Sequence, residues 1–393
     1  MYFMKQRIAE KADEIRQELL RLSHDIHGCP ETSFEEVHAA AWQKDMLERH
    51  GFTVEMPFCG METSFRAVRK GRASGPVIAF LSEYDALKGL GHACGHNIIA
   101  ASAVGAGIAL ASVLEDVAGE VQVIGTPAEE GGGGKIYLVE RGAFRGVDFA
   151  LMMHPNTKNI IGRGGLAAQG VKVLFTGRAA HSATPDKGIN ALSSLIAFFN
   201  SIDMLRQTWP NSAKINGIIT KGGSASNIIP DEAEAEFTVR ASTKMELIAM
   251  FEDLKRVAGA AAMITGASFA VDGEPVYAER YPNSVMGEAF KRNMELLGEK
   301  MEYPDPRERF GSSDVGNVSL ELPTIHEYLA IADTSVAGHT PAFREAAASP
   351  RGDDVVILAA KGLAFTGWDL LSDEKLREAS MDEYRKKALP FRK

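Results

Sequence analysis

Six side chains able to hold or serve a metal ion fall in four short patches spread over most of the chain. They are Cys94 and His96 in Gly91-His92-Ala93-Cys94-Gly95-His96-Asn97, the adjacent Glu129 and Glu130 in Thr126-Pro127-Ala128-Glu129-Glu130-Gly131, His154 in Met152-Met153-His154-Pro155, and His339 in Gly338-His339-Thr340-Pro341. Cys-x-His puts a thiolate and an imidazole within one turn. That pair suits a borderline-soft cation such as zinc, while manganese and cobalt accept the nitrogen and oxygen donors. Alone it says little, because a buried cysteine is commonly a small hydrophobe. Two neighbouring carboxylates behind a Pro-Ala turn are harder to explain, since burying them is costly without a cation or proton to share. Successive residues there point in different directions, so one glutamate can ligate while the other faces substrate. The chemistry predicted is amide hydrolysis, in which a divalent cation acidifies water toward a pKa of about 7 and a carboxylate carries the proton to the leaving amine.

The elements that must position these groups follow from the apolar pattern. Three of the patches sit behind runs that read as buried strands, residues 77–81, 121–124 and 149–153, and open α/β sheets hold ligands at the carboxyl ends of such strands. From residue 76 to residue 153 strand and helix patterns alternate, which predicts βαβ units and a mostly parallel sheet with helices on both faces. The apolar stretch over residues 98–113, rich in Gly, Ala and Ser, reads as a buried helix too short to span a bilayer. Residues 1–28 read as one amphipathic surface helix.

Past Gly162-Arg163-Gly164-Gly165 the rhythm changes. A strand (170–176), a helix (190–206), two strands (214–220 and 232–240), a helix (244–262) and a strand (268–271) form a βαββαβ layer, an inserted α+β domain. The α/β rhythm then resumes with a strand over 323–330 and a long apolar helix over 353–371. The predicted fold is therefore α/β, with a discontinuous catalytic domain over residues 1–166 and 282–393 and the insertion over residues 167–281.

Composition narrows the partners. At 393 residues, 45% hydrophobic and 24% charged, the chain is globular and long enough for two domains. A net charge of -9, with no basic cluster beyond Arg385-Lys386-Lys387, speaks against a nucleic-acid footprint. No membrane association is expected either, and a small polar substrate is the expected partner. Three cysteines, Cys29, Cys59 and Cys94, are too few for a disulfide framework and fit a reducing, cytoplasmic setting. Gly131 to Lys135 lacks the first glycine and the hydroxyl residue of a phosphate-binding loop, and Gly162-Arg163-Gly164 opens no helix, so neither reads as a nucleotide site.

The motifs extend through Ser82-Glu83-Tyr84-Asp85-Ala86-Leu87, His27-Gly28-Cys29-Pro30-Glu31, His181-Ser182-Ala183-Thr184-Pro185, Asn227-Ile228-Ile229-Pro230 and Gly311-Ser312-Ser313-Asp314-Val315-Gly316-Asn317. Taken in chain order with the four patches, they resemble the M20 metallopeptidase family over nearly the whole chain. The nearest branch comprises amidohydrolases, including aminobenzoyl-glutamate hydrolases, indole-acetyl-amino-acid hydrolases and β-alanyl-lysine dipeptidases. The resemblance implies two divalent cations, zinc, manganese or cobalt, held by Cys94, His96, Glu130, His154 and His339, with Cys94 in the place of a bridging carboxylate. It implies Glu129 as general acid/base and Asp85 as the carboxylate orienting a ligand imidazole. The insertion becomes a lid and dimerisation domain of a homodimer, whose His181 polarises the scissile carbonyl, often across subunits. Asn227 and Arg240 resemble groups that grip a substrate carboxylate, and Ser313 lies in a pocket motif as a candidate substrate contact.

Two positions depart from the pattern, Lys88 where many relatives have proline and Asn97 where many have aspartate. The second removes a carboxylate from the surroundings of the ligands. His92 could be a third ligand or a pocket wall, and a supporting role is favoured. Arg240 could instead pair with Glu234 or Glu236, and Asn227 could be a turn residue. The expected function is hydrolysis of a small N-acyl amino acid or dipeptide. A catalytically silent homologue that binds an N-acylated molecule, and a zinc-stabilised scaffold, are the other classes.

Overall fold

The computed structural model describes residues 2–305 and 311–392. Two compact units divide the chain, one of Met1–Gly164 with Arg280–Lys393 and one of Gly165–Glu279. Among the described residues the strands are, in chain order, β1 Thr53–Glu55, β2 Phe65–Lys70, β3 Val77–Ser82, β4 Glu120–Gly125, β5 Phe149–Asn156, β6 Ala167–Thr176, β7 Lys214–Lys221, β8 Glu232–Ala241, β9 Ser268–Gly273 and β10 Thr324–Ala330.

The first unit is built on a six-stranded sheet of order β1-β2-β4-β3-β5-β10. β4, β3, β5 and β10 run parallel, while β1 and β2 extend the edge in antiparallel fashion. Alternate residues of β3 serve different layers. Ile78 and Phe80 pack with the helices His96–Ala111 and Pro350–Ser372, and Ala79 and Leu81 pack with Leu138, Phe144, Val315 and Val318 on the other face. Covering both faces is why the central strands read as continuous apolar runs. The mostly parallel sheet with helices on both faces is the architecture expected from the sequence.

The helix His96–Ala111 lies in the interior because its small residues let neighbours close on it. A Cβ at Gly107 would stand 2.4 Å from Val123 Cγ2, and one at Gly105 would stand 2.7 Å from Leu19 Cδ1. Pro350–Ser372 is long and apolar enough to cross a membrane, yet it is largely buried in this core. It starts three residues before the sequence reading because Ser349 caps it, its Oγ accepting the Gly352 N–H at 3.2 Å, and Pro350 suits the first turn. The N-terminal segment departs from the single helix expected. Two helices, Tyr2–Glu14 and Arg16–Gly28, are separated at Ile15, which is buried in line with Ile8, Ala12, Leu19 and Leu22.

The second unit is an antiparallel sheet of order β7-β8-β6-β9 with two helices, Ala191–Leu205 and Lys244–Thr265. The helices start at Asn190 and Thr243, whose side chains accept N–H groups of Ser193 and Glu246. Leu195 and Phe198 of one and Leu247 and Leu254 of the other share a core with Val173, Phe175 and Phe237 of the sheet. This is the βαββαβ order read from the sequence.

One buried acid gives the first unit a pH signature. Glu327 on β10 is fully buried, its Oε2 accepts the Gly162 N–H at 2.7 Å and its Oε1 has no partner. Burial raises its pKa to about 8 from an ordinary 4.5. Between those values the folded chain holds a proton that the unfolded chain has lost, so stability falls as pH rises through this window. Urea unfolding should show Glu327→Gln relieving a loss on the order of a few kcal/mol between about pH 4.5 and 8; parallel wild-type and variant pH profiles would contradict the assignment.

Candidate metal centre

The ends of β3, β4 and β5 lie side by side, and the loops leaving them carry most of the ligand candidates. After β3 the chain runs through Glu83, Tyr84 and Asp85, then turns at Gly91 and Gly95, so that His96 opens its helix. Glu129 and Glu130 leave β4 through Thr126-Pro127-Ala128. His154 departs slightly from the sequence reading, lying inside β5 rather than beyond it. His339 follows β10 in a loop whose His339 N–H donates to the Ala93 carbonyl at 3.1 Å.

These groups converge. Cys94 Sγ lies 3.5 Å from both His154 Nε2 and His339 Nε2. Glu130 Oε1 lies 3.5 Å from His339 Nε2 and 3.9 Å from His96 Nε2. The result includes two trios that share Cys94, Cys94–His96–His154 and Cys94–Glu130–His339, each with its donor atoms within 4.8 Å of one another; Glu129 stands equally close to His96 and Glu130.

The surrounding hydrogen bonds select the imidazole face that can ligate. His154 Nδ1 meets the Pro155 carbonyl at 2.7 Å, and His96 Nδ1 meets the Asp85 carbonyl at 2.9 Å and its Oδ1 at 3.1 Å. A carbonyl only accepts, so both Nδ1 atoms carry a proton and both Nε2 atoms face the centre; although burial opposes it, Cys94 and Asp85 push the His96 pKa well up, so its Nε2 must give up a proton to ligate. His96 Nε2 and Glu130 Oε1 are buried and hydrogen-bond nothing. Acceptors turned toward one another without donors fit a cation. Burial keeps His154 neutral, with a pKa near 4, as a ligand must be. Burial, with Glu130 close by, also pushes the Cys94 thiol up, so positive charge beside it is needed for a thiolate.

Two carboxylates fix the turn that bears Glu129 and Glu130. Asp85 Oδ2 accepts the Glu130 N–H and Glu36 Oε1 accepts the Ala128 N–H, both at 2.9 Å. Ala128 is held at φ 63 and His339 at φ 59, left-handed conformations that side chains other than glycine avoid and that cost about 1–3 kcal/mol each. Although burial opposes it, hydrogen bonding from His96 and the Glu130 amide brings Asp85 down to about 2. Gly134 closes the turn from below, since a Cβ there would stand 1.9 Å from the Pro127 carbonyl oxygen.

Glu129 faces the cavity beside the trios and lies within 4.8 Å of Glu83 and Asp314 donor atoms. Burial first, then the charges of Glu83, Glu130 and Asp314, raise its pKa well above the usual carboxylate range. Lys135, wholly buried, answers part of that negative charge: its Nζ lies 2.5 Å from Glu83 Oε1 and 2.8 Å from Asp314 Oδ1. The sequence reading does not find this triad. Glu36, Glu83 and Lys135 carry no spacing signal, and Lys135 stands out in sequence only as the end of a failed phosphate loop.

The remaining candidates divide between the units. Ser313 lines the same cavity of about 470 Å³ as Glu129, Glu130 and the Cys94, His154 and His339 side chains. His181 and Asn227 are exposed neighbours in the second unit, joined by the Ser182 N–H donating to the Asn227 carbonyl at 3.0 Å. Arg240 is half-buried on β8, opposite Ala168 and Lys214. His92 belongs to neither trio; it is buried with both ring nitrogens unpartnered, and burial lowers its pKa to about 3. Asn97 serves packing, its Nδ2 donating to Ser23 Oγ at 2.9 Å and the Ala347 carbonyl at 3.0 Å.

Known proteins resemble this chain in sequence and in fold. Residues 161–264 match the peptidase dimerisation domain of M20 proteins. Xaa-Arg dipeptidase of Mus musculus is 36% identical over 402 residues, covering 97% of this chain and 92% of its own length. A p-aminobenzoyl-glutamate hydrolase subunit of Escherichia coli is 30% identical over 72% of this chain and 63% of its own. A crystal structure of a dinuclear metal-binding M20 peptidase from Bacillus subtilis superposes with a TM-score of 0.67 at 23% identity, over 90% of this chain and 98% of that one. The chain belongs to the M20 metallopeptidase family and is a hydrolase acting on amide bonds.

The buried triad is directly testable. Lys135→Met leaves Glu83 and Asp314 buried without their cation, and urea denaturation should register a loss of about 3–5 kcal/mol. A loss below about 1 kcal/mol would mean that water reaches the triad.

Proposed function

We propose that this protein hydrolyses the amide bond of a small N-acyl amino acid or dipeptide with two divalent cations, zinc, manganese or cobalt. The observation that carries this reading is the pair of donor trios meeting at Cys94 with Glu129 beside them. Cys94, His96 and His154 would hold one cation and Cys94, Glu130 and His339 the other. When bound, the cations supply a water acidic enough to act near neutral pH and polarise the scissile carbonyl. Glu129 takes the proton from the attacking water on a carboxylate oxygen and returns it to the nitrogen of the departing amine. Asp85 keeps the His96 ring oriented while this happens.

His181 hydrogen-bonds the carbonyl oxygen as negative charge develops there, and Asn227 and Arg240 hold a carboxylate, for which a planar guanidinium is suited. Ser313 contacts substrate from the cavity wall. A homodimer is part of the proposal, supported by the match to a dimerisation domain and by Ile218 and Ile219, exposed on the outer strand β7. The substrates favoured are β-alanyl-lysine-type dipeptides, aminobenzoyl-glutamate and N-acyl-aspartates; a dipeptidase and an aminobenzoyl-glutamate hydrolase among the relatives support the first two classes. Three free cysteines favour a reducing cytoplasm.

Turnover of these three substrate types with zinc, manganese and cobalt tests the reading. Glu129→Gln should retain two equivalents of cation by elemental analysis while kcat/KM falls by about 10²–10⁴. Undiminished turnover would remove Glu129 from its role. In Cys94→Ser a weaker ligand replaces the shared one, and cation content should fall below two equivalents after dialysis; full retention would exclude Cys94 as the common ligand.

A further inference from the structure

Besides the ligand trios, the cavity wall carries a guanidinium that the reaction above leaves unused. Arg280 is 8% exposed and lines the cavity. Its Nε donates to the Arg163 carbonyl at 3.1 Å, its Nη2 donates to the Gly164 carbonyl and the Tyr328 hydroxyl at 2.8 Å each, and its Nη1 contacts His326 Nδ1. All four partners are neutral. Among the described residues no carboxylate lies within ion-pair distance of it. Glu327, next to His326 on β10, does not answer the charge, because burial leaves its carboxyl protonated at neutral pH.

A buried cation without an anion is expensive, and two of the groups that accept from Arg280 carry a proton of their own. The Tyr328 hydroxyl accepts from Arg280, and its own proton meets only the long 3.5 Å contact with His326 Nδ1. His326, whose Nδ1 accepts from Arg280, carries its proton on Nε2, which is buried and bonded to nothing. Arg163 adds a second guanidinium 5.1 Å above the Tyr328 ring. The wall adjoins the reacting centre, since the ring of the ligand candidate His154 lies 5.4 Å from that of His326 and 5.6 Å from that of Tyr328.

We propose that Arg280, with Tyr328 and His326, forms an anion subsite that takes a carboxylate of the substrate close to the scissile amide. The four contacts hold the guanidinium rigid, so little freedom is lost when the anion arrives. The identity of the ligand as substrate rests on the amide-hydrolase reading above; the subsite itself does not.

Calorimetry on cation-loaded Glu129→Gln protein separates the two. The probes are N-acetylglutamate with its side-chain amide and its α-amide, and succinyl-glycine with succinamyl-glycine. Within one of these sets the acid should bind about 30-fold more tightly than the matched amide, and adding Arg280→Gln should shrink that preference below about threefold. Tyr328→Phe, which keeps ring and charge, should weaken the same acid about fivefold and leave its amide unchanged; it decides the matter if Arg280→Gln does not fold. The proposal is overturned if no acid separates from its amide, or if the substitutions weaken acid and amide alike. Turnover enters neither readout, so a failure of hydrolysis in the Glu129 protein leaves this result standing.

Discussion

Six carboxylates, Glu36, Glu83, Asp85, Glu129, Glu130 and Asp314, gather where the central strands end, and Lys135 is the one ammonium buried with them among the described residues. Everything else about the site depends on how that negative charge is balanced. Asp85 is satisfied by His96 and a backbone amide, and Asp314 by Lys135. Glu129 and Glu130 are left beside a thiol and the Nε2 atoms of three imidazoles, an arrangement that positive charge entering it would stabilise. Folding and cation binding are therefore linked, and the ligands contribute most to stability when they are loaded.

The fold supplies the precision. Parallel strands deliver the loops to one edge, and the buried helix His96–Ala111 anchors the imidazole that opens it. Ala128 and His339 sit in unfavourable backbone conformations on either side of the centre, each held by its N–H donating to a remote segment, Glu36 Oε1 for Ala128 and the Ala93 carbonyl for His339. Such strain persists where surrounding contacts over-determine it. The Glu36 carboxylate that secures Ala128 comes from about ninety residues earlier in the chain, which is why the turn depends on the whole unit and not on its own sequence.

Much of this is legible in the chain before folding is considered. The strands at residues 77–82, 120–125 and 149–156 announce themselves as apolar runs, and the insertion shows its βαββαβ order through periodicity and caps. The ligand candidates are readable because cysteine, histidine and paired glutamates are rare in apolar surroundings. What escapes is long-range and electrostatic. Lys135 looks like any helix lysine until folding seals it between Glu83 and Asp314, and Arg280 gives no sign in sequence that its neighbours are all neutral. The break at Ile15 is invisible because the same apolar spacing runs unbroken through both N-terminal helices.

Anomalous diffraction from crystals grown with zinc, recorded on either side of the zinc edge, tests the central claim most directly. The account predicts two peaks flanking Cys94 Sγ, each at about 2.3 Å from it, one completed by His96 and His154 and the other by Glu130 and His339. A single peak, or peaks that leave the Cys94 sulfur without a cation, would contradict it.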